Sequence, residues 1–387
     1  MPGYELIDNK EFKQISDVFK KSKTLFRMGF DKQRKGIFKV NEFEKKFAKK
    51  VNSKYALAVT SGTAALRVAL STINLKKGDE VITQSFTFVA TVEAIVESRA
   101  TPVCTEIDKT LNMDPKDLIK KINNKTKAVI VVHMLGVPCR IKEIKKICKK
   151  YNLVLIEDTA WGCGGKINNQ YLGTIGDIGA YSFDFAKTIT TGEGGMLVFK
   201  SKKKFELAKA WHDHGHENNP KVPRWEDTRK SSGFNFRMTE MQGAVGLAQL
   251  NKLDYIVKKQ NFNYKAIWSV IKKIKGIEKR AYPQNSKISA DALIFFLKNK
   301  QTAKRCREEL LKYKISTKIL PEAFTWHFSR EWKHIKELKK EKVSSSNHLK
   351  ISKSLIERAV SIPIFIKMKK NFPKNVKYSI LKSFERK

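Results

Sequence analysis

Leu153-Val154-Leu155-Ile156-Glu157-Asp158 is an apolar run that ends in two acids. A half-buried strand alternates apolar and polar residues, whereas a run this continuous is buried on both faces. The same pattern recurs upstream. Lys127 to Leu135 (KAVIVVHML), Thr101 to Asp108 and Asp79 to Phe88 (DEVITQSFTF) each read as a strand, the last running into a turn. Helical patterns lie between them, at Thr91 to Glu97, Pro115 to Asn123 and Ile141 to Tyr151. Strands covered on both faces and separated by helices predict an α/β fold with a mostly parallel central sheet. Ligands in such folds bind beyond the carboxyl ends of the strands, which puts Asp158 at the expected binding edge.

Downstream the pattern changes. Thr239 to Ile274 reads as one long helix, with Leu247, Leu250, Leu253 and Ile256 recurring at helical spacing. After Ile277, a strand at Ala292 to Leu297 (ALIFFL) precedes a charged helix at Ala303 to Tyr313. The 387 residues are therefore expected to form a large domain over 1–275, including the N-terminal segment and the long helix, and a smaller α+β domain over 276–387.

The formal charge is +40, from 78 Lys and Arg against 38 Asp and Glu. Such a charge invites a nucleic-acid reading. The lysine runs Lys20-Lys21, Lys142 to Lys150, Lys202 to Lys204 and Lys339 to Lys342 instead fall between apolar periodic positions, as on solvated helix faces. No basic stripe interleaves with aromatics and no zinc-finger spacing occurs, so no specific nucleic-acid partner is expected. Five cysteines, Cys104, Cys139, Cys148, Cys163 and Cys306, make no Cys-x-x-Cys pair. An odd count of scattered thiols fits a reduced, cytoplasmic setting. No apolar run approaches the ~20 residues that span a bilayer, and the first residues lack a signal-peptide pattern.

Four segments carry candidate chemistry. Thr60 to Leu66 (TSGTAAL) is a hydroxyl-rich turn before a helix. It serves either as a phosphate site at a helix start or as a plain Ser/Thr cap. Asp158 suits a protonated pyridine nitrogen, or caps the next helix. Ala180 to Lys187 (AYSFDFAK) runs into the Gly192 to Gly195 turn. A lysine in a dry pocket loses proton affinity and forms Schiff bases, whereas a loop lysine beside a hairpin does neither. Gly233 to Gln242 (GFNFRMTEMQ) leads an aromatic-flanked Asn235 into the long helix, by function or as a hydrophobic staple.

Taken in order, these segments resemble the DegT/DnrJ/StrS family of sugar aminotransferases, built on the aspartate-aminotransferase fold (fold type I). The likeness spans nearly the whole chain. It is most specific at Lys187 with Thr188 to Gly195 (TITTGEGG), and at Gly233 to Gln242. The resemblance implies pyridoxal 5'-phosphate held by a Schiff base at Lys187 and a salt link from Asp158 to the pyridine nitrogen. It implies phosphate contacts from Gly62, Thr63 and Ser182, and ring stacking by Phe88. Asn235 matches a residue that reaches the phosphate of the neighbouring subunit, which implies a homodimer with shared sites. One position departs: the family often has Gln or His three residues after the aspartate, where this chain has Trp161. An indole N–H donates but cannot accept.

Outside that core, Met1 to Leu6 (MPGYEL), His212 to His216 (HDHGH), Trp326-His327 and Trp332 to Ile335 (WKHI) are similar to a narrower group. Its members form 8-amino-3,8-dideoxy-manno-octulosonate by aminating C8 of an eight-carbon keto-sugar acid. His214, His216, Arg237 and His327 are the candidate substrate contacts. No metal is expected at the alternating histidines, because nothing nearby completes a ligand set.

The resemblance implies an aminotransferase with an amino-acid donor, glutamate being the expectation, and a keto-sugar acceptor. The alternative acceptor is a nucleotide-linked 4-keto or 3-keto hexose. Related sugar dehydratases replace the lysine with histidine, and a non-catalytic sensor on this fold is expected to lose Lys187 or Asp158. Both residues are present here.

Overall fold

The computed structural model describes residues 2–219, 221–322, 324–338 and 348–385. Met1 and the Lys339 to Lys342 run lie outside them. Seven strands form the central sheet: β1 (Tyr55–Val59), β2 (Glu80–Gln84), β3 (Thr101–Thr105), β4 (Thr126–Val132), β5 (Val154–Asp158), β6 (Ile178–Ser182) and β7 (Gly195–Phe199). Their order is β1-β7-β6-β5-β4-β2-β3. The pairs from β3 through β2, β4 and β5 to β6 are parallel, while β7 runs against both neighbours. The sheet is mostly parallel, as the apolar runs predict.

Burial on both faces explains those runs. Val81, Ile130 and Ile156 pack in one cluster with Leu66, Ala69 and Leu70 of the helix Gly62–Ser71. Their chain neighbours Ile82, Val129, Val131 and Leu155 pack in another with Ile141 and Ile144 of the helix Ile141–Lys150. That second helix turns its lysines outward: Lys142, Lys145, Lys146, Lys149 and Lys150 are all exposed.

The long helix covers Glu240–Ile271, opened by a capping box between Thr239 and Gln242. Leu247, Leu250, Leu253 and Ile256 are buried, in one cluster with Val40, Phe43 and Phe47. Further along, a three-stranded sheet of Glu278–Lys279, Ala292–Phe296 and Ala359–Pro363 packs in a separate cluster with the helices Lys300–Lys312 and Phe372–Glu385. All five cysteines are buried with free thiols. Among the described residues no helix is long and apolar enough to cross a membrane.

Candidate active site

The carboxyl ends of β4, β5 and β6 open on one cavity of about 420 Å3. Asp158, the last residue of β5, is 5% exposed. Its carboxylate accepts from Ala160 N–H at 3.1 Å and from the Thr91 hydroxyl at 3.0 Å. Burial pushes this carboxyl up, against the two donors and the charge of Lys187. Glu157, one residue earlier, faces the other side of the strand. It meets His133 Nε2 at 2.9 Å and accepts the N–H groups of Gly173, Ile175 and Gly176. Burial acts on Glu157 as well, but His133 and these donors hold it below its ordinary value. Two acids that look alike in sequence are thus divided by the pleat, one bracing the loop after β5 and one facing the cavity.

Lys187 follows β6 through a tight turn. Its N–H donates to the Asp184 carbonyl at 3.0 Å, and Ala186 N–H donates to Asp184 Oδ1 at 2.9 Å. The Gly3 N–H donates to the Lys187 carbonyl at 3.1 Å, so the N-terminal segment braces this turn from outside. Lys187 Nζ stands 3.4 Å from the centroid of the Trp161 indole. Burial lowers its ammonium to about 8; Asp291 opposes that effect and Lys318 adds to it.

The helix Gly62–Ser71 starts at the cavity. Ser61 caps it by accepting from Ala64 N–H at 3.0 Å. A helix cannot satisfy its first N–H groups internally, and those of Gly62 and Thr63 fall at the cavity wall. A Cβ on Gly62 would come within 2.7 Å of Ser182 Cβ, so the approach of helix to strand requires glycine. Phe88, also on the cavity wall, lies parallel to Trp326, with ring centroids 6.0 Å apart and planes at 5°. Its centroid is 5.5 Å from that of His327.

Of the residues selected from sequence, Gly62, Thr63, Phe88, Asp158, Trp161, Ser182, Lys187 and His327 line this one cavity. Four others do not line it within this chain. Asn235 is exposed and pairs with Asp213 in an isolated antiparallel bridge. His214 is exposed with a positive φ of 55°. His216 is buried and bonded through Nδ1 to Asp227 at 3.1 Å. Arg237 is ion-paired with Asp213, which also binds Arg224. Sequence reading passed over Thr91, Ile319 and the Asp291–Lys318 pair. Thr91 sits inside a plain helical pattern, and Lys318 is one cation among 78.

The sequence matches the profile of the DegT/DnrJ/EryC1/StrS aminotransferase family over residues 31–380. The chain belongs to this family. GDP-perosamine synthase from Escherichia coli O157:H7 is 40% identical over 222 residues, which are 57% of this chain and 60% of that protein. GDP-perosamine synthase from Vibrio cholerae is 39% identical over 220 residues, 57% of this chain and 59% of that protein. The matched stretch thus spans about three fifths of these curated relatives. Over nearly the whole chain the fold matches PseC of Helicobacter pylori, an aminotransferase in pseudaminic acid biosynthesis, with TM-score 0.85, 26% identity, and 98% of this chain and 97% of that one covered. An aminotransferase from Psychrobacter cryohalolentis matches equally well, with TM-score 0.85, 27% identity and the same coverage.

Pyridoxal 5'-phosphate is the cofactor of this family. The residues present fit it on three counts. Asp158 is a buried carboxylate pushed up by burial and bonded to neutral donors, an acceptor suited to a cationic ring N–H. Gly62 and Ser182 pack against each other at the cavity wall and bring a helix start with its free N–H groups to the cavity, as a phosphate needs. Lys187 brings an amine of lowered proton affinity to the same cavity.

Proposed function

We propose that this protein is a pyridoxal-phosphate aminotransferase that moves an amino group from an amino acid, glutamate in our reading, onto a keto or aldehyde sugar. The observation that carries the proposal is the convergence of Lys187, Asp158 and the helix start at Gly62 beside Ser182 on one cavity. When bound, the cofactor supplies an aldehyde that takes up amines and a protonated ring that withdraws electrons. Asp158 holds the positive charge of the ring nitrogen. Gly62, Thr63 and Ser182 receive the phosphate, and Phe88 offers a ring face. Lys187 would hold the cofactor and, as the one lysine among the described residues lining the cavity, would take up and return the proton at the reacting carbon. Its value near 8 keeps part of the amine neutral at neutral pH. Asn235, exposed on its own chain, serves the phosphate of a partner copy, so the working unit is a homodimer.

For the acceptor we favour the aldehyde form of an eight-carbon sugar acid. Trp326 and His327, part of the narrower resemblance, meet Phe88 at the cavity. The second reading is a nucleotide-linked keto hexose, favoured by the names of the GDP-perosamine synthases. A two-half-reaction test separates these. Glutamate is added to the holoprotein and the cofactor band is followed; each sugar is then offered in turn to see which restores it. Failure of any amino acid to change the band removes the aminotransferase reading. Restoration by the nucleotide-linked hexose alone removes the eight-carbon acceptor.

A further inference from the structure

A second cation stands beside the cavity, behind its Trp161 ring, and the preceding mechanism leaves it idle. Lys318 lies in the segment after the helix Lys300–Lys312, and its backbone N–H donates to the Ser361 carbonyl at 2.9 Å in the small sheet. The next residue, Ile319, lines the cavity. Lys318 Nζ is 5.0 Å from the centroid of the Trp161 indole, the same ring that has Lys187 Nζ at 3.4 Å. Two ammonium groups therefore gather at one aromatic ring of the cavity wall.

Asp291 makes that arrangement tolerable. It is 2% exposed, and its Oδ1 accepts from Lys318 Nζ at 2.7 Å. Its Oδ2 has no hydrogen-bond partner among the described residues. An ammonium has three N–H donors. Asp291 Oδ1 is the acceptor seen for Lys318 Nζ among the described residues, which leaves donor capacity for a further anion.

An α-amino acid carries its carboxylate on the carbon that carries its nitrogen. A group that receives the carboxylate must therefore stand a few ångströms from the group that exchanges the nitrogen. Among the described residues that line the cavity there is no arginine, and Lys187 is the one lysine. Arg237, the guanidinium suggested by sequence, is tied to Asp213 outside it. We propose that Lys318, held by Asp291, receives the α-carboxylate of the amino-acid substrate. The proposal rests on the aminotransferase reading, and it makes Lys318 the residue that separates α-amino acids from other amines.

The test uses the holoprotein as wild type, Lys318→Met and Lys318→Arg. L-Glutamate and L-alanine are each titrated beside their α-carboxamides while the absorbance of the bound cofactor is followed. Binding of 2-methylglutamate, which lacks an α-hydrogen, is measured by calorimetry as a readout independent of turnover. Loss of a charge-assisted contact weakens binding by roughly 10- to 100-fold. Lys318→Met is expected to raise the half-saturating amino-acid concentration and the calorimetric Kd by that factor. The carboxamides should shift little, the limiting rate should change less than half-saturation, and Lys318→Arg should recover most of the affinity. An unchanged cofactor spectrum shows that the variants are folded. Lys318→Met that still prefers carboxylate to carboxamide as the wild type does overturns the proposal and leaves the aminotransferase reading standing. A wild type that converts no amino acid overturns both.

Discussion

The ammonium of Lys187 lies 3.4 Å from the centroid of the Trp161 indole. An indole face attracts a cation through its ring quadrupole. This contact partly offsets the burial that lowers Lys187 to about 8. In cofactor-free protein Lys187 should react with an amine reagent with a midpoint near pH 8, below the ~10.4 of a lysine in a model peptide. Trp161→Leu removes support for the charged form and should lower the midpoint further, by about half a unit. Peptide mapping of the label against pH checks both, and a raised midpoint in Trp161→Leu refutes the cation–ring account.

The same shift has a stability consequence. The folded value of about 8 lies below the unfolded value, so the unfolded chain binds the extra proton between them. Stability then rises with pH from about 8 to ~10.4, where the unfolded lysine also loses its proton. Cofactor-free Lys187→Met lacks the buried charge. It should be more stable than wild type at pH 7, with the difference shrinking by pH 10. Urea unfolding at the two pH values gives the comparison.

Asp158→Asn keeps the volume and an acceptor oxygen for Ala160 N–H, and its amide NH2 replaces the oxygen that accepts from Thr91, whose hydroxyl can turn to accept instead. It removes the charge that, in the proposed function, balances the ring nitrogen. Turnover should fall on the order of 10²-fold, as when one preorganised electrostatic partner is lost. The melting temperature of the cofactor-free protein should hold or rise, because burial already disfavours the charged form. Near-wild-type turnover would remove Asp158 from the chemistry.

Gly3→Val should damage the site from a distance. A Cβ at Gly3 would lie 3.0 Å from both the Lys187 carbonyl oxygen and the Thr190 nitrogen. Backbone atoms on both sides cannot rotate away, so the turn holding Lys187 must move. Overpacking of this kind costs about 1–3 kcal/mol. Cofactor retention during dialysis should drop along with stability, and Gly3→Ala should lose less of each.

Legibility differed by element for physical reasons. The parallel strands β4 and β5 could be read because burial on both faces makes their runs nearly continuous in apolar residues, and Lys187 because its turn is dense in glycine. The edge strand Tyr55–Val59 has the same apolar character, but its antiparallel pairing with Gly195–Phe199 joins residues far apart in sequence. Asp291 and Lys318 were illegible for a related reason. Their meaning lies in meeting across 27 positions beneath Trp161, and neither belongs to a local pattern. The alternating histidines are separated by the structure, since their period follows a loop. His212 is buried with Nδ1 near the Lys209 carbonyl, while His216 faces Asp227.

That loop makes a separate prediction. Burial alone would raise the Asp213 carboxyl, but the Arg224 and Arg237 guanidiniums hold it down at about 2. Its contribution to stability is full above the unfolded value near ~3.9 and is lost as pH falls toward 2. Asp213→Asn leaves two guanidiniums facing a neutral group and should cost about 3 kcal/mol. Denaturation at pH 7 should show that loss, and at pH 2.5, close to the folded value of about 2, the gap between variant and wild type should be much smaller.

Asn235 tests the assembly. It is exposed, lies outside its own chain's cavity, and is fixed by pairing with Asp213. If it serves the partner's phosphate, Lys187→Ala and Asn235→Ala damage different halves of each shared site. A hybrid dimer then has one site with both lesions and one with neither. With random exchange, half the dimers are hybrids and half their sites are intact, so activity should recover to about a quarter of wild type. Each parent alone should stay well below that. Subunit exchange is verified by tagging the two variants differently and isolating the doubly tagged dimer. A hybrid no more active than the average of its parents places Asn235 in the service of its own chain.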